Sequence, residues 1–313
     1  MTTSTSITVI NYPGALQSAV FGLQEMLSLA NDITESMQHN HRFTCQQLTP
    51  EQCTDKVPQK ANNSQQIIVV PPSLKDQYYL APSQNFINWL SKQHQHGVLL
   101  SSACAGAFIL AKTGVLKQRT VTTHWGLADE FAKHYPDVKL QSDAILINDG
   151  DVITAGGVMS WLDLGLELVA QCTHPGIMRQ LGKNMVIDTG LREQRYYQSF
   201  KPSFEHGDND IIKVQHFLQS HYPTSINIAL LCQQCFLTER TLLRRFVKAT
   251  GLKPIQYLQK LRVQKACELI ENSQLKLEAI ALKVGYEDPG AFRKVFIKVI
   301  GLSPREFRRR FSG

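Results

Sequence analysis

The fold class this sequence predicts is a doubly wound α/β domain followed by an all-α domain, and three observations predict it. Between residues 6 and 187, short apolar runs alternate with longer amphipathic stretches. From Asp208 onward the texture is helical to the end of the chain. Within that helical part, chemically equivalent residues recur at an offset of 50.

The elements of the first part read in order. Ile7–Ile10 is an apolar run closed by the turn Tyr12-Pro13-Gly14, and Gln17–Ala30 follows as a helix. Ile67–Val70 is a second strand, stopped at Pro71-Pro72, and Phe86–Gln93 is a helix. Val98–Leu100 is a third strand and Ala105–Lys112 the helix after it. Ala144–Ile147 and Val152–Thr154 flank Asn148-Asp149-Gly150-Asp151, a hairpin signal. Trp161–Cys172 is an apolar-rich helix. Strands that are apolar throughout need both faces covered, so helices between them imply a mostly parallel sheet sandwiched by helices. The polar and aromatic stretch 189–207 is expected as a linker between domains at 1–188 and 208–313.

Composition bounds the function. A chain of 313 residues, 43% apolar, can bury a core in each of two domains. Its longest apolar runs fall far short of the ~20 residues of a membrane span, so no membrane association is expected. Met1–Ser6 lacks the basic start of a secretory signal, and the seven cysteines follow no framework spacing. Reduced thiols in a cytoplasm are the expectation. Charge is unevenly placed: residues 208–313 hold 18 Lys+Arg against 9 Asp+Glu, while residues 1–207 hold 15 against 17. A basic module joined to a near-neutral one assigns the polyanion to the C-terminal part.

The repeat specifies how that part would meet it. Leu242 and Phe246 match Phe292 and Phe296; Arg244 and Lys248 match Lys294 and Lys298; Gly251-Leu252 and Pro254 match Gly301-Leu302 and Pro304. In the second copy Leu277, Ile280, Ala281 and Val284 form one helix face, and Gly285 permits a turn. Asp288 then caps a helix with Pro289 at its first position. Thr238 plays the cap in the first copy. Helix, short turn and helix with exposed cations is the helix-turn-helix unit, here present twice. A connecting helix over Ile255–Glu271, roughly 25 Å long, could set two recognition helices in successive major grooves.

The segments from Thr238 to Phe246 and from Gly285 to Phe296, with Gly301-Leu302-Ser303-Pro304, resemble the AraC/XylS family of bacterial regulators. The resemblance covers roughly the last hundred residues. It implies sequence-specific binding to promoter DNA, contact with RNA polymerase and control of transcription, with activation the expected sign. Carried over by position, Arg240, Leu243 and Arg244 would meet base edges from the first recognition helix, and Gly290, Arg293 and Lys294 from the second. Lys248 and Lys298, farther along, would meet phosphates. Gly290-Ala291 offers little to read, so the first helix is expected to carry more of the specificity. The first turn departs from the second in having Phe236 in place of Gly285.

The first part carries one chemical motif. A strand leads into Cys104, a helix begins just after it, and Ser102 and Gly106 flank it with small side chains. That is the pattern of a nucleophile elbow, and a helix N-terminus there would lower the thiol pKa. Thr122-Thr123-His124-Trp125 supplies a histidine twenty residues on. This context resembles the class I glutamine amidotransferase-like superfamily, including the PfpI-type proteases, over about residues 5–187. The resemblance implies a flavodoxin-like, amidotransferase-like fold. It also implies a sensor for a small-molecule effector such as a nitrogen-containing catabolite, with Cys104, His124 and Trp125 in the pocket. A homodimer formed through this domain is expected.

Two readings of the motif stay open: a ligand pocket without turnover, which is the reading adopted, and a cysteine-dependent hydrolase or amidotransferase. Catalysis would need an acid to orient the histidine. The stretch Ala15–Ala19 has no carboxylate, leaving Glu25 and Asp163 as candidates. Cys232-Gln233-Gln234-Cys235 lacks the second pair a zinc site needs, so neither metal nor cofactor is expected. His39, His41, His94 and His96 read as exposed loop or helix-end residues.

Overall fold

Strand β1 (Thr3–Ile10), with Ile7, Val9 and Ile10 wholly buried, lies one strand in from the edge of the first unit's sheet. The computed structural model describes residues 3–54, 64–74, 76–190 and 192–312. It divides the chain into two units, Met1–Gln194 and Arg195–Gly313. After β1 the first unit continues as α1 (Gln17–Ser36), β2 (His41–Leu48), β3 (Ser64–Val70), α2 (Gln84–Gln95), β4 (Leu99–Ala103) and α3 (Gly106–Lys112). Then come β5 (Thr120–Val121), α4 (Ala128–His134), β6 (Lys139–Leu140), β7 (Leu146–Asn148), β8 (Val152–Ala155), α5 (Trp161–Cys172) and α6 (Pro175–Asn184).

Six strands form one sheet in the order β2-β1-β3-β4-β8-β7. All neighbours are parallel except β7, the antiparallel partner of β8 in the expected hairpin. The parallel part has the flavodoxin-like order, whose direction of winding reverses between β1 and β3. Tyr12 bridges that crevice: it is buried and its hydroxyl donates to the Pro71 carbonyl at 2.7 Å. On one side α1 and α5 cover the sheet with Leu23, Met26, Leu164 and Leu168.

Strand β2 has no counterpart in the apolar pattern, for a physical reason. It is an edge strand whose Arg42, Thr44 and Gln46 face outward, so only alternate positions needed to be apolar. His41, expected in an exposed loop, lies in this strand, buried, with Nδ1 2.8 Å from Thr3 Oγ1. His94 sits near the end of α2, as read, but is paired with Asp151 at 2.7 Å.

The second unit is helical: α7 (Asn209–His221), α8 (Ile228–Cys235), α9 (Glu239–Thr250), α10 (Pro254–Asn272), α11 (Leu277–Lys283), α12 (Pro289–Ile300) and α13 (Pro304–Phe311). Its two cores share α10. Tyr257, Leu258 and Leu261 pack with Leu231, Leu242 and Phe246. Val263, Ala266 and Ile270 pack with Ile280, Val284, Phe292 and Phe296. One helix of 19 residues, about 28 Å long, thus belongs to both helix-turn-helix units. The stretch 189–207 is taken up in part by each unit: Gln194 is buried in the first, and the Phe200 ring packs edge-on against Tyr257 in the second.

Candidate nucleic-acid interface and elbow site

The two recognition helices are built by their caps. Thr238 accepts from the Thr241 amide, and Asp288 accepts from the Gly290 and Ala291 amides at 2.8 and 2.9 Å with Pro289 following. Each helix ends in a glycine of left-handed conformation, Gly251 and Gly301. Leu242 and Phe246 in α9, and Phe292, Phe296 and Ile300 in α12, turn inward. That leaves Arg240, Arg244 and Lys248 on one exposed face, with Leu243 half-buried beside them, and Arg293, Lys294 and Lys298 on the other helix. Among the described residues none of these six cations lies in an ion pair. Neighbouring cations are committed elsewhere. Arg245 is fixed by Asp208 and Asp210 at 2.6 and 3.0 Å, and Arg262 donates to the Tyr222 and Thr224 carbonyls. Gly290 is exposed, but its amide is occupied by the Asp288 cap.

The turn of the first unit keeps its geometry without glycine. Phe236 takes φ +53° where Gly285 of the second turn has φ +89°, and its ring is 96% exposed. A left-handed phenylalanine carries strain of about 1–2 kcal/mol, with no burial to offset it.

Cys104 forms the elbow that its neighbours foretold. Its φ is +54°, between the end of β4 and the start of α3. A Cβ on Gly106 would sit 2.4 Å from the Val70 carbonyl oxygen, so the turn admits no side chain there. The chemistry departs from expectation. Cys104 is 2% exposed, and burial pushes its thiol up to about 12, outweighing the Ala105 amide that lowers it. The helix N-terminus does not produce a thiolate at neutral pH. His124 is partly buried, which lowers its pKa, and stacks on Trp125 at 5.3 Å. Its Nδ1 accepts from the Gly126 amide at 2.9 Å, so the neutral ring carries its proton on Nε2. No hydrogen bond joins His124 to the Cys104 sulfur among the described residues. Of the candidate acids, Glu25 is exposed on α1 and Asp163 is bound by Arg192 at 2.5 Å.

A residue that the sequence reading passed over holds this loop. Gln194 is 1% exposed; its Nε2 donates to the Thr123 carbonyl at 2.8 Å, the Ala144 carbonyl at 2.9 Å and Thr122 Oγ1 at 3.1 Å. Its Oε1 accepts from the Trp125 amide at 3.1 Å. Thr123 Oγ1 in turn donates to the Cys104 carbonyl at 2.7 Å. A glutamine in a polar stretch gives no sequence signal of burial. The available hint was Gly156, where a Cβ would fall 1.9 Å from Gln194 Nε2.

Family comparison agrees with this geometry. Residues 28–171 match the DJ-1/PfpI family and residues 231–310 match a helix-turn-helix domain family. The first unit is thus similar to DJ-1/PfpI family domains, and the second to helix-turn-helix domains. It is 26% identical over 224 residues to the HTH-type transcriptional regulator CdhR of Pseudomonas aeruginosa, spanning 71% of this chain and 66% of that one. It is 29% identical over 155 residues to the HTH-type transcriptional activator RhaS of Escherichia coli, spanning 47% and 54%. The chain thus covers about two thirds of the one relative's length and about half of the other's. Among solved structures, Drosophila melanogaster DJ-1beta is similar at 18% identity and a TM-score of 0.46, over 60% of this chain and all of that one.

Proposed function

We propose that this chain is a sequence-specific DNA-binding regulator of transcription whose α/β unit binds a small-molecule effector. The observation that carries the reading is the pair of capped helices on a shared α10, presenting six exposed cations. In this reading α9 and α12 enter major grooves of promoter DNA. Arg240, Leu243 and Arg244 meet base edges, with Arg293, Lys294 and the backbone at Gly290 following in the second groove. Lys248 and Lys298 meet phosphates. RNA polymerase contact, activation and a homodimer belong to the same proposal, as does a place in the cytoplasm; no helix among the described residues is long and apolar enough to cross a membrane.

The effector pocket of this proposal is the elbow, with Cys104, His124 and Trp125. A non-catalytic role is supported by the chemistry: a thiol at about 12 is protonated at neutral pH, and the unprotonated Nδ1 of His124 is occupied by the Gly126 amide. A nucleophile needs a base and the base an orienting acid. The named candidates for that acid are solvent-exposed or salt-bridged.

The test selects binding sites from random DNA with the full chain, then compares variants on the selected site and a scrambled one. Arg240→Ala and Arg244→Ala should flatten the preference, each by about 1–3 kcal/mol. Lys248→Ala and Lys298→Ala should weaken both sequences alike and reduce the salt slope. Equal losses on both sequences for the arginine variants would overturn the assignment of base contacts. Failure to select any sequence would overturn the regulator itself.

A further inference from the structure

The face of the sheet that carries Thr8, Gln46 and Gln66 is not apolar, and a cavity of about 190 Å³ opens on it. The strand register places Thr8 beside Gln46 and Ile68, so these side chains share one face, and α2 brings Trp89 and Gln93 over it. Gln52, just beyond β2, completes the rim. Gln46 is exposed and its amide donates to Thr8 Oγ1 at 3.0 Å. Gln93 is 0% exposed, and neither its Nε2 nor its Oε1 has a hydrogen-bond partner among the described residues. A buried carboxamide with both ends unpaired is rare in native proteins, because a hydrocarbon of the same shape would be more stable there.

We propose that this cavity is a second small-molecule site, and that it takes an uncharged compound bearing an amide or ureide edge. Among the described residues, no side chain that lines it is charged. A carboxylate or ammonium ligand would lose its hydration without gaining a counter-charge. A primary carboxamide offers a donor and an acceptor side by side. Its complement is another amide edge, which would close two hydrogen bonds at once and satisfy both orphaned atoms of Gln93 once that buried side chain turns into the opening. Trp89 supplies an aromatic wall for a flat ligand. The site is separate from the elbow: Val98, at the cavity, precedes the five residues of β4, and Cys104 follows them. That strand alone spans roughly 17 Å. Binding here does not depend on the proposed regulatory function, because it is measured without DNA.

The experiment uses two probes of nearly the same shape, nicotinamide and nicotinate, titrated into the full chain by ligand-observed NMR at neutral pH. Nicotinamide is expected to bind at about millimolar concentration, as its size allows, and nicotinate about ten-fold or more weakly. Gln93→Leu should abolish the preference and raise the melting temperature, since it removes two unpaired buried atoms. Where Gln93→Leu does not fold, Gln46→Ala, at an exposed strand position, should weaken nicotinamide binding and spare the fold. The proposal is overturned if wild type binds neither probe or binds both equally. It is also overturned if Gln93→Leu folds and keeps the preference, or if Gln46→Ala leaves nicotinamide affinity unchanged.

Discussion

Gly156→Ala is a one-carbon change that should be costly because of what lies above it. The new Cβ would stand 1.9 Å from Gln194 Nε2 and 2.2 Å from its Cδ, so the carboxamide must leave its seat. Leaving breaks the contacts to Thr122, Thr123 and Ala144 and strips the Trp125 amide of its acceptor. One orphaned buried donor costs about 1–3 kcal/mol, and each net hydrogen bond lost adds about 0.5–1.5. Gln194→Ala loses the same bonds without the clash and should cost about 2–4 kcal/mol. Gly156→Ala should cost more, because the displaced amide still has to be accommodated. The two changes attack one interaction, so the double variant should cost far less than their sum. Urea denaturation followed by tryptophan fluorescence reads this out cleanly: Trp89, Trp125 and Trp161 all lie in the first unit. A neutral Gly156→Ala, or an additive double variant, would refute the reasoning.

Four further outcomes are expected. Native Cys104 should resist iodoacetamide at pH 8 while the urea-unfolded chain reacts; because its folded pKa is raised, its contribution to stability is full below the unfolded thiol value and is lost as pH rises toward about 12, which Cys104→Ala should abolish in alkaline melts. Asp151 is held down at about 2 by its hydrogen bonds from Arg119 and His94, so its contribution is present above the ordinary carboxylate range and lost as pH falls through about 2; Asp151→Asn should flatten that part of the acid melt. Phe236→Gly should raise stability by about 0.5–1 kcal/mol in urea melts, the strain relieved exceeding the added chain entropy. Thr123→Val, which deletes the hydroxyl held by the Cys104 carbonyl at nearly constant volume, should impair the effector response in a reporter assay and leave DNA affinity unchanged.

What the sequence made legible, and what it did not, divides along a physical line. The helix-turn-helix units were legible because their signals are local: Thr238, Asp288, Pro289 and the terminal glycines act within one turn of where they stand. The elbow was legible for the same reason, since Ser102 and Gly106 mark a tight turn by their size alone. The edge strand β2 was not, because an exposed face removes half of the apolar signal. Thiol chemistry was misread at Cys104 because burial, a property of the packed unit, outweighs the adjacent helix end. Gln194 and Gln93 were invisible, since a glutamine looks the same in sequence whether it is solvated, networked or stranded. Phe236 was flagged as a departure, and its left-handed conformation shows that the turn's shape was preserved at the expense of strain.

The elbow's strain then needs a beneficiary other than a thiolate. A cysteine at φ +54° and 2% exposure holds a protonated sulfur to which His124 makes no hydrogen bond among the described residues, so the geometry serves the backbone. The Cys104 amide donates to the Ala155 carbonyl at 2.9 Å, and its carbonyl accepts from Thr123. The residue after Ala155 is Gly156, pressed against Gln194, and the carbonyl of Thr123 accepts from the same glutamine. Both polar groups of the elbow peptide therefore lead, within two steps, to the last residue of the first unit, from which the chain passes directly to Arg195. Under the proposed function, a ligand seated against Cys104, His124 and Trp125 acts on the loop that Gln194 closes. Under that proposal its binding energy would reach Gln194, at the end of the first unit, without requiring a reaction at sulfur. A catalytic elbow would have to keep its thiol exposed and its histidine free; a transmitting one has to keep its hydrogen bonds, and those are what this elbow retains.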